Sequence, residues 1–289
     1  MKKKNLLLIV LIMLTVVTFL GYRALEAVTT DSRAPEIRLE SIVPEVSVQD
    51  PKSALLQGIS ARDNVDGDIT DSLVVERIEL LDGEGNLMIS YAAFDSAGNV
   101  AKAQRAAKYT DYERPKFTLR APLVYANNIS FDVLSNIGAR DVIDGDIQHR
   151  VRATMLSGQS ILDAGIHDVE FQVTKSLGDT VTEILPVQVQ DVDYDAYLRL
   201  STYLVYLPLN TSFNPRDYLD GLVFQDEQIE LNYGLPRSCT LKTEGKVQTN
   251  NPGVYPVEFW VTHTIENEIN PARNVEHTGY SKLIVIVEG

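Results

Sequence analysis

Ala61-Arg62-Asp63-Asn64-Val65-Asp66-Gly67-Asp68-Ile69 returns further along the chain as Ala139-Arg140-Asp141-Val142-Ile143-Asp144-Gly145-Asp146-Ile147, with seven of nine positions identical. Such a match marks a duplicated structural unit. A weaker third copy, Asp217-Tyr218-Leu219-Asp220-Gly221-Leu222, keeps Asp-x-x-Asp-Gly and has Leu222 where the others carry their last Asp. Downstream of each copy, a Gly opens a stretch of alternating polarity: Gly85 to Tyr91, Gly165 to Phe171 and Gly253 to Phe259. Period-two alternation is the pattern of a half-buried strand. Aligned, Ile89, Tyr91 and Ala93 match Val169, Phe171 and Val173, then Val257, Phe259 and Val261, and these sets are expected to face inward.

The junctions also recur. Asp31-Ser32-Arg33-Ala34-Pro35 is echoed by Asp111-Tyr112-Glu113-Arg114-Pro115, and the same interval onward falls on Asp191. The chain is therefore expected to consist of residues 1–30, then units at 31–112, 113–192 and 193–289. Short alternating strands separated by Gly, Asn and Asp turns point to all-β sandwiches. Asp95-Ser96-Ala97-Gly98-Asn99 is expected to turn the Gly85 strand into the next, residues 100–109.

Asp-x-x-x-Pro, then Asp-x-x-Asp-Gly-Asp-Ile-Thr, then Gly-x-x-x-Ile-x-Tyr-x-x-x-Asp-Ser-Ala-Gly-Asn resembles the bacterial immunoglobulin-like repeat of surface proteins, with the related modules of crystal proteins and hyalin-type repeats. The first unit matches throughout. The second has Lys175-Ser176-Leu177-Gly178-Asp179 at the hairpin, and the third keeps only the Gly strand and the weakened Asp motif. The resemblance implies tandem immunoglobulin-like sandwiches, cell-surface display and a non-catalytic role; it names no ligand.

Lys2, Lys3 and Lys4 precede an uncharged, apolar run over residues 5–22. Positive charge before an apolar segment holds the N-terminus in the cytoplasm. The run is expected to be an uncleaved signal-anchor transmembrane helix, with cleavage as a signal peptide the alternative. Either way the remainder lies outside a bacterial plasma membrane, as a single-pass protein with an extracellular C-terminus. Residues 1–30 hold four basic side chains and one acid, a net +3. The remaining 22 basic and 39 acidic side chains give −17. Such an acidic exterior argues against nucleic acid as a partner.

Catalytic signatures are absent from the sequence: it has no Gly-x-Ser-x-Gly elbow, no His-Glu-x-x-His pair and no phosphate-cradling loop. An enzyme is not expected. The lone Cys239 forms no internal disulfide. The Asp turns are the sharpest ion candidate. Asp63, Asp66 and Asp68 around Gly67 offer hard oxygens suited to calcium, and Asp141, Asp144 and Asp146 are expected to behave alike. The alternative is that these side chains cap backbone amides. Junction acids Asp111 and Glu113, and Asp191 and Asp193, are a second calcium candidate. His263 and His277 bracket a loop with Glu266, Glu268 and Glu276, a weaker metal candidate.

The third unit is the odd one. Its stretch from the turn Asp to the strand Gly, Asp220 to Gly253, is much longer than Asp66 to Gly85 or Asp144 to Gly165, which marks an insertion. Eight of thirteen Tyr lie beyond residue 193, with the only Trp. Trp260 falls in the outward set, so it is either covered by the inserted segment or open to a partner. Trp260, Tyr255, His263 and His277 are the candidate binding residues. The expected role is a membrane-anchored surface stalk, adhesion or protein-interaction module with the third unit presenting. A carbohydrate-binding surface protein and a structural subunit of an envelope assembly are the alternatives.

Overall fold

The computed structural model describes residues 2–29, 31–127, 130–156, 163–191, 196–224, 227–231, 235–236, 238–265 and 275–289. The chain divides into two compact units, Met1–Tyr112 and Glu113–Gly289. It opens with helix α1 (Lys2–Thr29). Every described side chain from Leu7 to Tyr22 is exposed, the large apolar ones by 50–72%. Among the described residues, no helix is long and apolar enough to cross a membrane.

The first unit continues with β1 (Glu36–Leu39), β2 (Glu45–Val46), β3 (Ile59–Asp63), β4 (Gly67–Asp68), β5 (Val74–Leu80), β6 (Asn86–Phe94) and β7 (Val100–Tyr109). These make two sheets, β1-β3-β4 and β2-β7-β6-β5. Alternation along β6 sends Leu87, Ile89, Tyr91 and Ala93 into the core, each fully buried. The core has one polar wall. Tyr91 Oη donates to the Leu55 carbonyl (2.9 Å), and buried Arg105 donates to the carbonyls of Leu55 (3.1 Å) and Gln57 (2.9 Å). A guanidinium inside a core is tolerated because it finds these acceptors.

The second unit starts by copying this arrangement strand for strand. It has β8 (Lys116–Leu119), β9 (Val124–Ala126), β10 (Ile137–Asp141), β11 (Gly145–Asp146), β12 (Arg152–Met155), β13 (Gly165–Thr174) and β14 (Thr180–Gln190). Their sheets are β11-β10-β8 and β12-β13-β14-β9, and β9 runs parallel to β14 as β2 does to β7. The all-β sandwich reading of the repeats rests on this register.

The third repeat departs from it. Its strands are β15 (Ala196–Leu200), β16 (Leu204–Pro208), β17 (Leu219–Phe224), β18 (Glu227–Glu230), β19 (Cys239–Glu244), β20 (Gly253–Ile265) and β21 (Val275–Glu288). They join in one sheet, β18-β17-β15-β21-β20-β19, with β16 also on β21. The reason is length. The 14-residue β21 pairs with β15 at Gly279 and with β16 from Ile284 to Glu288, so one strand serves both layers.

Within this unit the second and third repeats share one continuous core, in which Phe171 and Phe259 are both fully buried. Polar contacts join them as well. Tyr206 Oη accepts the Phe117 N–H (3.0 Å), and Tyr280 Oη donates to Gln188 (2.8 Å). Gly245 sits where the chain leaves β19, at φ +98°, and a Cβ there would lie 2.3 Å from the Pro256 carbonyl oxygen. Gly245→Ala meets both a left-handed backbone and a backbone clash. It is expected to cost roughly 2 kcal/mol or more, read as a lower urea midpoint. An unchanged midpoint would contradict this geometry.

Candidate functional site

The repeated motif fixes three aspartates with three different tasks. Asp63 ends β3 and its Oδ1 accepts the N–H groups of Val65 (2.7 Å) and Asp66 (3.0 Å). These amides, Asp66 first, hold its carboxyl below the usual carboxylate range. Asp66 reaches across to the hairpin after β6, accepting the Ser96 N–H (2.7 Å) and hydroxyl (2.8 Å). Asp68 accepts the Thr70 hydroxyl (2.7 Å) and N–H (3.0 Å), which lower its pKa and start a 3-10 turn. Gly67 at φ +79° makes the tight reversal between β3 and β4 possible.

The second repeat does the same. Asp141 Oδ1 accepts from Ile143 (2.9 Å) and Asp144 (2.8 Å). Asp144 accepts the Ser176 N–H and hydroxyl (both 2.6 Å) and Arg150 Nη1 (2.9 Å). Burial would raise the Asp144 pKa, but these donors outweigh it and the net shift is downward. Asp146 accepts the Gln148 N–H (3.0 Å). Within each motif the three carboxylates point to separate partners rather than around one point.

A different set does converge. Ligand oxygens of Asp31, Asp63 and Asp95 lie within 4.8 Å of one another, with Asp63 and Asp95 buried. Asp31 comes from the junction, Asp63 from the turn and Asp95 from the Asp-Ser-Ala-Gly-Asn hairpin. Each belongs to a separate motif in sequence, and only the fold brings them together. Asn99 ties the group: it donates through its N–H (2.7 Å) and Nδ2 (2.8 Å) to Asp95, and through Nδ2 to the Asp31 carbonyl (3.2 Å). At the matching place in the second repeat stands Lys175, whose fully buried Nζ lies 3.8 Å from Asp141 Oδ2 and 3.9 Å from Asp179 Oδ2. Burial pushes the Lys175 pKa down, against the pull of Asp141, Asp179 and Asp144.

The junction acids are engaged elsewhere. Asp111 accepts the Ser47 hydroxyl (2.7 Å) and Val48 N–H (2.8 Å), Ser47 first in lowering its pKa. Asp191 accepts from Asn127 Nδ2, and Glu113 is exposed. Asp193, Glu266 and Glu268 lie outside the described residues.

The four binding candidates split between two faces. β20 and β21 pair without a register shift, placing Trp260 opposite Tyr280 and His263 opposite His277. Tyr255 and His263 share the inward parity of Phe259, whereas Trp260 is on the other face. Tyr255 closes its own turn, its hydroxyl donating to the Asn251 carbonyl (2.9 Å). Trp260 meets the Tyr280 ring edge-on at 4.6 Å between centroids and is half-buried. The cover on this outward face comes from the preceding repeat. Tyr280 binds Gln188, and buried Lys282 approaches Gln188 Oε1 (3.4 Å) and the Pro186 carbonyl (3.5 Å). Burial lowers the Lys282 pKa, with Glu258 and Asp168 opposing.

No protein-family model matches the chain. An 81.3 kDa protein of Acholeplasma phage L2 is 31% identical over 155 residues, which is 53% of this chain and 19% of that one. The chain thus spans about a fifth of that relative. Among solved structures, CBM51-2 in complex with GlcNAc and INT domains from Clostridium perfringens ZmpB is 14% identical. The match covers 56% of this chain and 30% of that one, at a TM-score of 0.22. Mouse cadherin-23 EC22-24 is 10% identical, covering 89% and 99%, at 0.19. The sandwich architecture stands on strand register and burial rather than on these likenesses.

Beside the covered face, a groove of about 470 Å³ runs between the second and third repeats. Its walls include Arg120, Pro122, Tyr197, Arg199, Tyr203 and Tyr280. Tyr197 is 51% exposed, while Arg199 is held by Asp220 (2.7 Å) and Gln228 (3.0 Å). The exposed Tyr197 ring beside the Arg199 guanidinium suits a polar ligand with a flat apolar patch. Tyr197 and Arg120 belong to no motif, so nothing in the sequence signals them.

Proposed function

We propose that the chain is a membrane-anchored, extracellular, non-enzymatic interaction protein that binds a protein or glycan through residues 113–289. The observation that carries this reading is one chain joining an apolar helix, with its described side chains exposed, to repeated sandwiches. The three lysines that open that helix, ahead of its apolar run, support a cytoplasmic N-terminus and an outward remainder. Exposed apolar residues along one helix are favourable in lipid and costly in water. The test is expression of the full chain in bacteria, followed by membrane flotation and protease treatment of intact cells. The chain is expected in the membrane fraction, with residues beyond 31 digested. A chain that stays soluble, or is protected until lysis, overturns the anchor.

The groove favours a glycan as the second reading, because Tyr197 and Tyr280 line it and Trp260 packs on Tyr280. On a glycan array, Tyr197→Ala is expected to reduce binding tenfold or more, and Trp260→Ala to reduce it through Tyr280. If the wild-type chain retains no glycan, this second reading falls and a protein contact is left.

A further inference from the structure

We infer that Asp31, Asp63 and Asp95 form a binding site for one calcium ion in the first repeat, and that the second repeat carries Lys175 as a built-in replacement for that ion. Asp63 is 3% exposed and spends its Oδ1 on the turn. Its Oδ2 is buried with no hydrogen-bond donor, and so is Asp31 Oδ2. Asp31 Oδ1 is already taken by the Arg33 N–H (3.0 Å). No salt bridge reaches any of the three carboxylates among the described residues. A buried carboxylate oxygen without a donor is costly, and a cation is the partner that satisfies several at once.

The second repeat acts as an internal control. Its hairpin repeats the backbone bonds of the first. The N–H of Asp95 bonds the Asn99 carbonyl (3.2 Å) and that of Lys175 the Asp179 carbonyl (3.0 Å). Ser96 binds Asp66 as Ser176 binds Asp144. At the position of Asp95, however, the second repeat puts an ammonium, and it approaches the same oxygen, Oδ2 of the turn's first Asp. The charges agree. Asp141, Asp179 and Lys175 sum to −1, and so do three aspartates with one divalent ion.

The ligand atoms choose the ion. All are carboxylate oxygens, which suit hard cations and not thiophilic metals. They lie within 4.8 Å of one another. Calcium takes six to eight oxygens in a flexible shell, whereas magnesium demands a near-ideal octahedron at about 2.1 Å and keeps several of its waters. The carboxylates come from three separate segments, and Asp63 and Asp95 are fixed by their own hydrogen bonds, which suits the looser calcium shell better than a regular octahedron.

The experiment uses the purified full chain in detergent, titrated with calcium chloride by calorimetry and followed by thermal unfolding in calcium or chelator. The expected result is one ion per chain with a dissociation constant on the order of 0.1–1 mM, as in extracellular calcium modules. Asp95→Lys puts an ammonium where the second repeat has Lys175. It is expected to abolish binding while the first unit melts in chelator at least as high as wild type. Asp31→Asn keeps an acceptor for the Arg33 N–H and is expected to weaken binding at least tenfold, so it carries the test if Asp95→Lys misfolds. Absence of saturable heat from the wild type overturns the proposal. So does wild-type affinity in either variant, and an equal response to magnesium overturns the choice of calcium.

Discussion

Replacing Lys175 by methionine is expected to destabilise the second unit by about 3–5 kcal/mol, the usual cost of stripping one partner from a buried ion pair. Lys175 is fully buried, and its ammonium is the positive group beside Asp141, itself 6% exposed. Methionine fills the same volume without the charge, so packing changes little and the Asp141 carboxylate is left facing an apolar side chain. The loss should appear as a lower denaturant midpoint with an unchanged slope. Adding Asp141→Asn to Lys175→Met is expected to recover part of it. The amide oxygen still accepts the N–H groups of Ile143 and Asp144, while the unpaired charge is gone. A single-variant loss below about 1 kcal/mol would place the pair among weak surface salt bridges and contradict its burial.

The comparison between the repeats shows what a sequence carries and what it withholds. Alternation identified the core strands, because one face of a strand is buried and the period is two. None of Ile89, Tyr91, Ala93, Val169, Phe171, Val173, Val257, Phe259 and Val261 is more than 1% exposed. The hairpin at residues 95–99 was legible because Gly98, at φ +87°, fits a position few residues accept. The aspartate site was not. Proximity in the motif suggested that Asp63, Asp66 and Asp68 meet, yet successive residues of a turn point in different directions. Asp63 instead meets Asp31 and Asp95, each distant from it along the chain. The same blindness hid the role of Lys175, which in sequence is only a substitution in a hairpin. Trp260 takes the outward parity and packs on Tyr280, which in turn bonds Gln188 of the preceding repeat. Such packing between repeats leaves no mark on the periodicity of either. The widened third repeat was visible as extra residues, whereas the use of β21 by both layers needed the pairing itself.

Phe171→Ala and Phe259→Ala are expected to lower one and the same unfolding transition, and Tyr91→Ala a different one. Phe171 belongs to the second repeat and Phe259 to the third, but they lie in a single hydrophobic cluster; Tyr91 lies in another. Each side chain is fully buried at the centre of its sheet. Truncating a buried aromatic to alanine costs about 3–5 kcal/mol, through lost transfer energy and the cavity left behind. For the second unit, Glu113–Gly289, that is a fall of roughly 6–20 °C in Tm. Differential scanning calorimetry of the full chain should therefore resolve two transitions. Either phenylalanine variant moves one of them as a whole, because a shared core makes the second and third repeats unfold together. Beads on a string would behave otherwise, each repeat melting alone and Phe259→Ala leaving the second repeat untouched. A third transition, or a Phe259→Ala effect confined to the third repeat, would show that the contacts of Tyr206 with Phe117 and of Tyr280 with Gln188 do not couple them. The coupling also bears on binding. The groove beside Tyr197 has one wall in each repeat, so a ligand bound there gains a rigid site only if the two repeats hold together.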